Sequence, residues 1–211
     1  AVGCPGKDRE VERMNQIALN VDCMEYMQAL PDKAFDLAIV DPPYGISIHD
    51  SGRLKKYNAT ETRWDDATPG DVYFSELKRC SKNQIIWGGN YYDLPPCRGF
   101  VIWDKKQPED ISFASCEFAW TSFDTSARTF YYSPLQEKGQ RIHPTQKPVA
   151  LYEWLLMKYA KEGWRILDTH LGSGSSRIAA YNLGFEFVGC EIEPTYFQLQ
   201  EQRFADHTAQ E

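Results

Sequence analysis

Phe35-Asp36-Leu37-Ala38-Ile39-Val40-Asp41-Pro42-Pro43-Tyr44 is the stretch on which the reading of this chain turns. Leu37 to Val40 is a short apolar run, the pattern of a strand buried on both faces. The run stops at a carboxylate, two prolines and an aromatic ring. A proline holds the residue before it extended, which places Asp41 at the strand end. The two prolines fix φ and remove two backbone donors, leaving their carbonyls as acceptors. The predicted product is a stiff corner with a carboxylate, a carbonyl and a ring close together. Such a corner suits a planar group bearing an NH2, with two acceptors for its hydrogens and a face to stack on. An ordinary Pro-Pro turn after a strand is the competing reading, and the rest of the chain decides between them.

Working outward, Ile17 to Val21 reads as a strand and Met24 to Leu30 as a short helix, with the turn at Pro31-Asp32-Lys33 before the Asp41 strand. Residues 45–70 form a long polar segment, of the kind that is a lid, a binding loop or disordered. It carries Arg53, Lys55 and Lys56, and Trp64-Asp65-Asp66 is placed to anchor its return. Val72 to Cys80 is helical by period. Gln84 to Trp87 is a strand stopped by Gly88-Gly89-Asn90. Phe100–Trp103, Cys116–Phe123 and Ala127–Tyr132 follow as three strand-like runs, expected to form an antiparallel part of a mixed sheet. After His143-Pro144-Thr145-Gln146-Lys147-Pro148, a helix carries Tyr152, Leu155, Leu156 and Tyr159 on one face. Strand Trp164–Asp168, a glycine turn, helix Ser175–Leu183, strand Phe187–Glu191 and a helix from Pro194 complete half of a doubly wound sheet.

The second informative stretch is Asp168-Thr169-His170-Leu171-Gly172-Ser173-Gly174-Ser175-Ser176, which joins a strand end to a helix start. Its glycines let the backbone approach a ligand, and the helix N-terminus favours an anionic group. No Lys follows the second Gly, so it is not a Walker loop. Glu191, at the end of the next strand, stands where this architecture binds the two hydroxyls of a ribose.

The whole chain sets the bounds. Its 211 residues suffice for one domain with a real core. Residues 1–13 are polar and aperiodic and read as a vector-derived or loose extension, leaving 14–211 as a single domain with the 45–70 loop insertion. Six cysteines at 4, 23, 80, 97, 116 and 190 make no C-x-x-C pair, so neither a zinc site nor a disulfide framework is expected. That usage suits a reducing cytoplasm. No run is long enough to span a membrane. A net charge of -7 means that any nucleic-acid contact must come from a local basic patch on an acidic body.

In combination these pieces resemble the amino-methylating DNA methyltransferases that use S-adenosyl-L-methionine, in the permuted β order with D-P-P-Y early and the glycine loop late. The family's G-D-x-x-x-x-L strand end corresponds to Val21-Asp22-Cys23 with Leu30, and its D-P-P-Y to Asp41–Tyr44. Its H-P-T-Q-K-P is His143–Pro148 unchanged. Its D-P-F-x-G-S-G-T-T appears as Asp168–Ser176, and its G-x-E-x-x-x-x-Y as Gly189-Cys190-Glu191 to Tyr196, with Arg203 a further match. Thr169 and His170 depart from the family's Pro and Phe, and the target-recognition region is short.

The resemblance implies an α/β fold, a circularly permuted Rossmann-like doubly wound mixed sheet. It implies transfer of a methyl group to the exocyclic amine of a flipped-out adenine in double-stranded DNA, with Asp41, Pro42, Pro43 and Tyr44 as the catalytic corner. Asp22 and Cys23 would meet the cofactor's adenine and Glu191 its ribose. The turn Gly172, Ser173, Gly174, Ser175 and Ser176 would take its methionine end with Lys147, and Asp41 and Asp168 would border it. Phosphate contacts would fall to Arg53, Lys55, Lys56, Lys105 and Lys106. The alternatives are the cytosine-N4 enzymes, which more often show S-P-P-Y, an RNA adenine methyltransferase, and an idle cofactor-binding subunit. A homodimer or a partner subunit is compatible with the short recognition region. No metal is implied.

Overall fold

The computed structural model describes residues 15–48, 59–60, 63–107, 114–137 and 141–209. The extension at 1–13 and Arg53, Lys55 and Lys56 lie outside these residues. The organising strand is β2 (Phe35–Val40). Leu37 and Ile39 join one apolar cluster and Ala38 and Val40 another, so the period-2 alternation of a strand feeds two cores. One cluster is closed by α3 (Val149–Tyr159) and α4 (Ser175–Asn182), the other by α1 (Cys23–Gln28) and α2 (Asp71–Cys80). The α3 face predicted from spacing, Tyr152, Leu155, Leu156 and Tyr159, is buried as a unit.

The other strands are β1 (Gln16–Leu19), β3 (Ser81–Trp87), β4 (Phe100–Asp104), β5 (Cys116–Thr121), β6 (Arg128–Tyr131), β7 (Arg165–Asp168) and β8 (Glu186–Cys190), and α5 (Pro194–Thr208) ends the chain. They form one mixed eight-stranded sheet in the order β1-β8-β7-β2-β3-β5-β4-β6. The two last strands in sequence thus sit between the two first, which is the permuted order. β2 is parallel to both β7 and β3, with Leu37 opposite Ile166 and Ala38 opposite Leu167. From β2 the chain proceeds through α2 to β3; from β7 it proceeds through α4 to β8, on the other side and over the other face. The crevice at the carboxyl ends of β2 and β7 is therefore the switch point of the sheet, where open α/β sheets bind ligands. Asp41 and Asp168 follow or end these two strands.

One expectation needs correction. β5 is antiparallel to β3 and β4, but β6 pairs with β4 in parallel, Val101 opposite Arg128. The run Phe100–Tyr132 is therefore not a simple antiparallel meander. Among the described residues no helix is long and apolar enough to cross a membrane.

Candidate active site

The corner after β2 closes around an ammonium group. Lys147 Nζ lies 2.5 Å from Asp41 Oδ2, 3.0 Å from Glu117 Oε2 and 3.2 Å from the Tyr44 hydroxyl. A lysine ammonium has three donors, and here three acceptors meet them. Tyr44 in turn donates to Asp41 Oδ1 at 2.6 Å. Glu117 also receives Lys105 at 2.7 Å. Burial pushes the Asp41 carboxyl up, against the pull of Lys147 and of the Tyr44 hydroxyl. Burial also opposes ionisation of Glu117, but Lys147 and Lys105 overcome it and hold that carboxyl down at about 2. Burial disfavours the Lys147 charge; Asp41 and Glu117 more than restore it, so the ammonium persists. Burial and the two neighbouring carboxylates push the Tyr44 phenol well up, which keeps its proton in place as a donor.

The ring of Tyr44 is fixed on two sides and its backbone is held by a third group. It stacks on Tyr91 at 4.9 Å with 13° between planes. Behind it lies Gly88, at φ +70°, where a Cβ would come within 2.2 Å of the ring. Only glycine permits this approach, in backbone angle and in space. The Tyr44 and Gly45 amides donate to Asp65 Oδ1 at 2.6 and 3.0 Å, and the Ile48 amide to Oδ2 at 3.0 Å. Buried Asp65 is thus the clamp on the loop leaving the corner, as the position of Trp64-Asp65-Asp66 suggested. Tyr92 donates to the carbonyls of Pro42 and Pro43 at 2.8 and 3.1 Å, so the Pro42 carbonyl is tethered and has one lone pair remaining. Gly88→Ala is expected to displace Tyr44 and to cost about 1–3 kcal/mol of stability. Urea unfolding beside turnover measures both; unchanged values would mean the ring can move aside freely.

The cleft beside this corner has a volume of about 960 Å³, with Asp41, Pro42, Tyr44, Tyr91, Glu117 and Lys147 in its wall. That is large enough for a planar heterocycle with its flanking backbone. Lys106, also on the cleft, has φ +50° and an amide held by Asp104 Oδ1 at 2.8 Å. Lys105 turns inward to Glu117 and lies over the Trp103 ring. Of the two lysines assigned to phosphate that lie among the described residues, Lys105 therefore has its charge engaged inside the protein.

The second half of the site lies at β7 and β8. Gly172 and Gly174 both have positive φ, +51° and +71°, and Gly174 caps α4. Glu191 accepts the Gly172 amide on Oε2 at 2.8 Å and the Glu193 amide on Oε1 at 2.9 Å. Each oxygen retains a lone pair, so the carboxylate is aligned and can still receive a diol. Arg203 on α5 donates to the Ser173 carbonyl and the Ser175 hydroxyl, both at 2.8 Å, and locks the turn from behind. Asp22 caps α1 through the Met24 amide at 2.8 Å, and burial pushes the neighbouring Cys23 thiol up to about 12, so it is inert. A glycine-lined turn, an aligned carboxylate and the apolar Cys23 fit a nucleoside-bearing cofactor. Lys147, which the resemblance grouped with the turn, has its ammonium at the Asp41 corner.

His143 and His170 are packed rings. Burial lowers His143 to about 3 and His170 to about 4, so both are neutral near pH 7. His143 lies between Tyr196 and Trp64, at 4.4 and 5.1 Å. His170 meets Thr169, whose hydroxyl also meets Tyr73 at 2.7 Å. Asp168 is buried, receiving Ser176 at 2.6 Å and the His170 amide at 3.0 Å, and burial lifts it to about 7. Its folded pKa lies above its unfolded value near 3.8, so its contribution is complete at low pH and is lost as pH rises from about 4 to about 7. Asp168→Asn should remove this slope: thermal melts without cofactor should show the variant gaining on wild type across that window. Parallel curves would refute it.

The Type II methyltransferase M.HinfI of Haemophilus influenzae is 25% identical over 247 residues, spanning 89% of this chain and 68% of that protein. The crystal structure of the M1.HpyAVI–SAM complex superposes with a TM-score of 0.60 at 22% identity, covering 89% of this chain and 98% of that one. The PvuII DNA methyltransferase, cytosine-N4-specific, gives a TM-score of 0.61 at 12% identity over 94% and 95% of the two chains. At such identities the two structures speak for the fold alone. The family N6_N4_Mtase, described as DNA methylase, matches residues 53–202, well over half of the chain, and this protein belongs to it.

Proposed function

We propose that this methylase uses S-adenosyl-L-methionine to methylate the N6 amine of an adenine flipped out of duplex DNA. The observation that carries the reading is an aspartate, not a serine, at the strand end, with its carboxylate facing a cleft wide enough for a base. The bound cofactor would supply a methyl group on a sulfonium, an electrophile that needs a positioned lone pair. Glu191 would take its ribose hydroxyls, Asp22 and Cys23 its adenine, and the 172–176 turn its methionine end.

The chain's own residues do the rest. Adenine's amine is a poor nucleophile because its lone pair is delocalised into the ring. Asp41 and the free lone pair of the Pro42 carbonyl can accept its two hydrogens and favour a tetrahedral nitrogen. Pro43 shapes the corner. Tyr44, in the cleft wall, would offer a stacking surface to the base, which must leave the duplex stack to enter. Asp41 need not be a strong base, since the amine turns acidic once methylated. Cytosine N4 is the second reading, because its amine presents the same two hydrogens; the PvuII enzyme shows that this fold serves it. Expressing the chain in a host without DNA methyltransferases and sequencing the unamplified DNA for base modification tests the proposal. Modified adenine in a defined sequence supports it; modified cytosine, or none, overturns it.

A further inference from the structure

Glu117 has no place in the motifs, yet it stands on the reacting corner. It arrives from β5, with Trp103 of β4 as its register partner. Its Oε2 is 3.0 Å from Lys147 Nζ and 3.3 Å from the Tyr44 hydroxyl, while its Oε1 takes Lys105. The corner thus holds two carboxylates and two ammonium groups, with Lys147 shared between the carboxylates. In this arrangement each Asp41 oxygen already accepts one donor, Lys147 on one and the Tyr44 hydroxyl on the other, and the Lys147 ammonium neutralises the carboxylate's charge. A target amine at the remaining lone pairs competes with the ammonium for that charge, and gains most from Asp41 when Lys147 moves away. A buried ammonium cannot simply be released, because an unpaired charge in this setting is costly.

We propose that Glu117 is the second seat of the Lys147 ammonium, accepting that charge when the target amine claims Asp41. The inference rests on the reading of Asp41 as the amine acceptor. Glu117 is then a positioning residue: it acts through Lys147 and leaves Asp41 ionised and open. Lys105 matches the charge of Glu117 beforehand, so the transfer moves Lys147 between two paired sites. The aromatic faces of Tyr44 and Trp87, with centroids 5.6 and 5.3 Å from Nζ, line the same ammonium and keep it desolvated wherever it sits.

The test is a double-mutant cycle with the full chain. The substrates are S-adenosylmethionine labelled in the methyl group and amplified, hence unmethylated, bacterial DNA. Glu117→Gln should lower kcat/KM for DNA at least about thirtyfold, the loss of one charge-assisted contact, with the dissociation constant of the cofactor within about twofold. In a Lys147→Met background there is no ammonium to reseat, so adding Glu117→Gln should cost no more than about threefold further. A purely structural role would cost the same in both backgrounds. Equal losses, or wild-type kcat/KM in Glu117→Gln, overturn the inference. If wild type itself transfers no label to DNA, the functional reading fails instead.

Discussion

Asp41→Ala is expected to lower methyl transfer by at least about a hundredfold to a thousandfold, the range seen when one oriented polar group is removed from a reacting centre. The fold should survive. Lys147 keeps Glu117 at 3.0 Å and the Tyr44 hydroxyl at 3.2 Å, so its charge is not orphaned. Cofactor binding should change within a few fold, because Gly172 and Glu191, which follow β7 and β8, are bonded to each other and not through Asp41. Single-turnover label transfer and calorimetric titration of the same preparation separate the two effects. Near-wild-type turnover would remove Asp41 from the mechanism.

Glu191→Ala acts at the other end of the crevice. It removes the acceptor for two ribose hydroxyls and also leaves the Gly172 and Glu193 amides without the carboxylate they now share. Charge-assisted hydrogen bonds are worth roughly 1.5–3 kcal/mol each, so the cofactor's dissociation constant should rise at least about tenfold. DNA affinity measured without cofactor should stay constant. An unchanged dissociation constant would make Glu191 a structural brace of the glycine turn and no more.

Much of this was legible in the residue order, for local reasons. β2 and β7 are apolar runs that end at an aspartate, and proline or glycine marks each stop. The α3 face shows its helical spacing directly. Asp65 could be suspected because a compact loop must be tied where it returns. What was not legible depends on register between distant strands. In sequence Glu117 is one charge among the aromatics of β5; its meaning comes from lying beside Lys147, which reaches the corner from the chain before α3. Gly88 read as the end of a strand, and only the packed Tyr44 ring shows why a side chain cannot stand there. Lys105 stands in sequence with the residues assigned to phosphate; its ion pair with Glu117 depends on the pairing of β4 with β5. The parallel pairing of β6 likewise has no signature in its own four residues.

The central claim is that the Asp41 corner receives the amine of an adenine. It is tested most directly by incubating the wild-type chain with methyl-labelled S-adenosylmethionine and unmethylated DNA, digesting the DNA to nucleosides, and resolving the label by chromatography. The expected result is label in N6-methyladenosine as the deoxynucleoside, abolished by Asp41→Ala. Label in N4-methylcytosine, or label that survives Asp41→Ala, would contradict it.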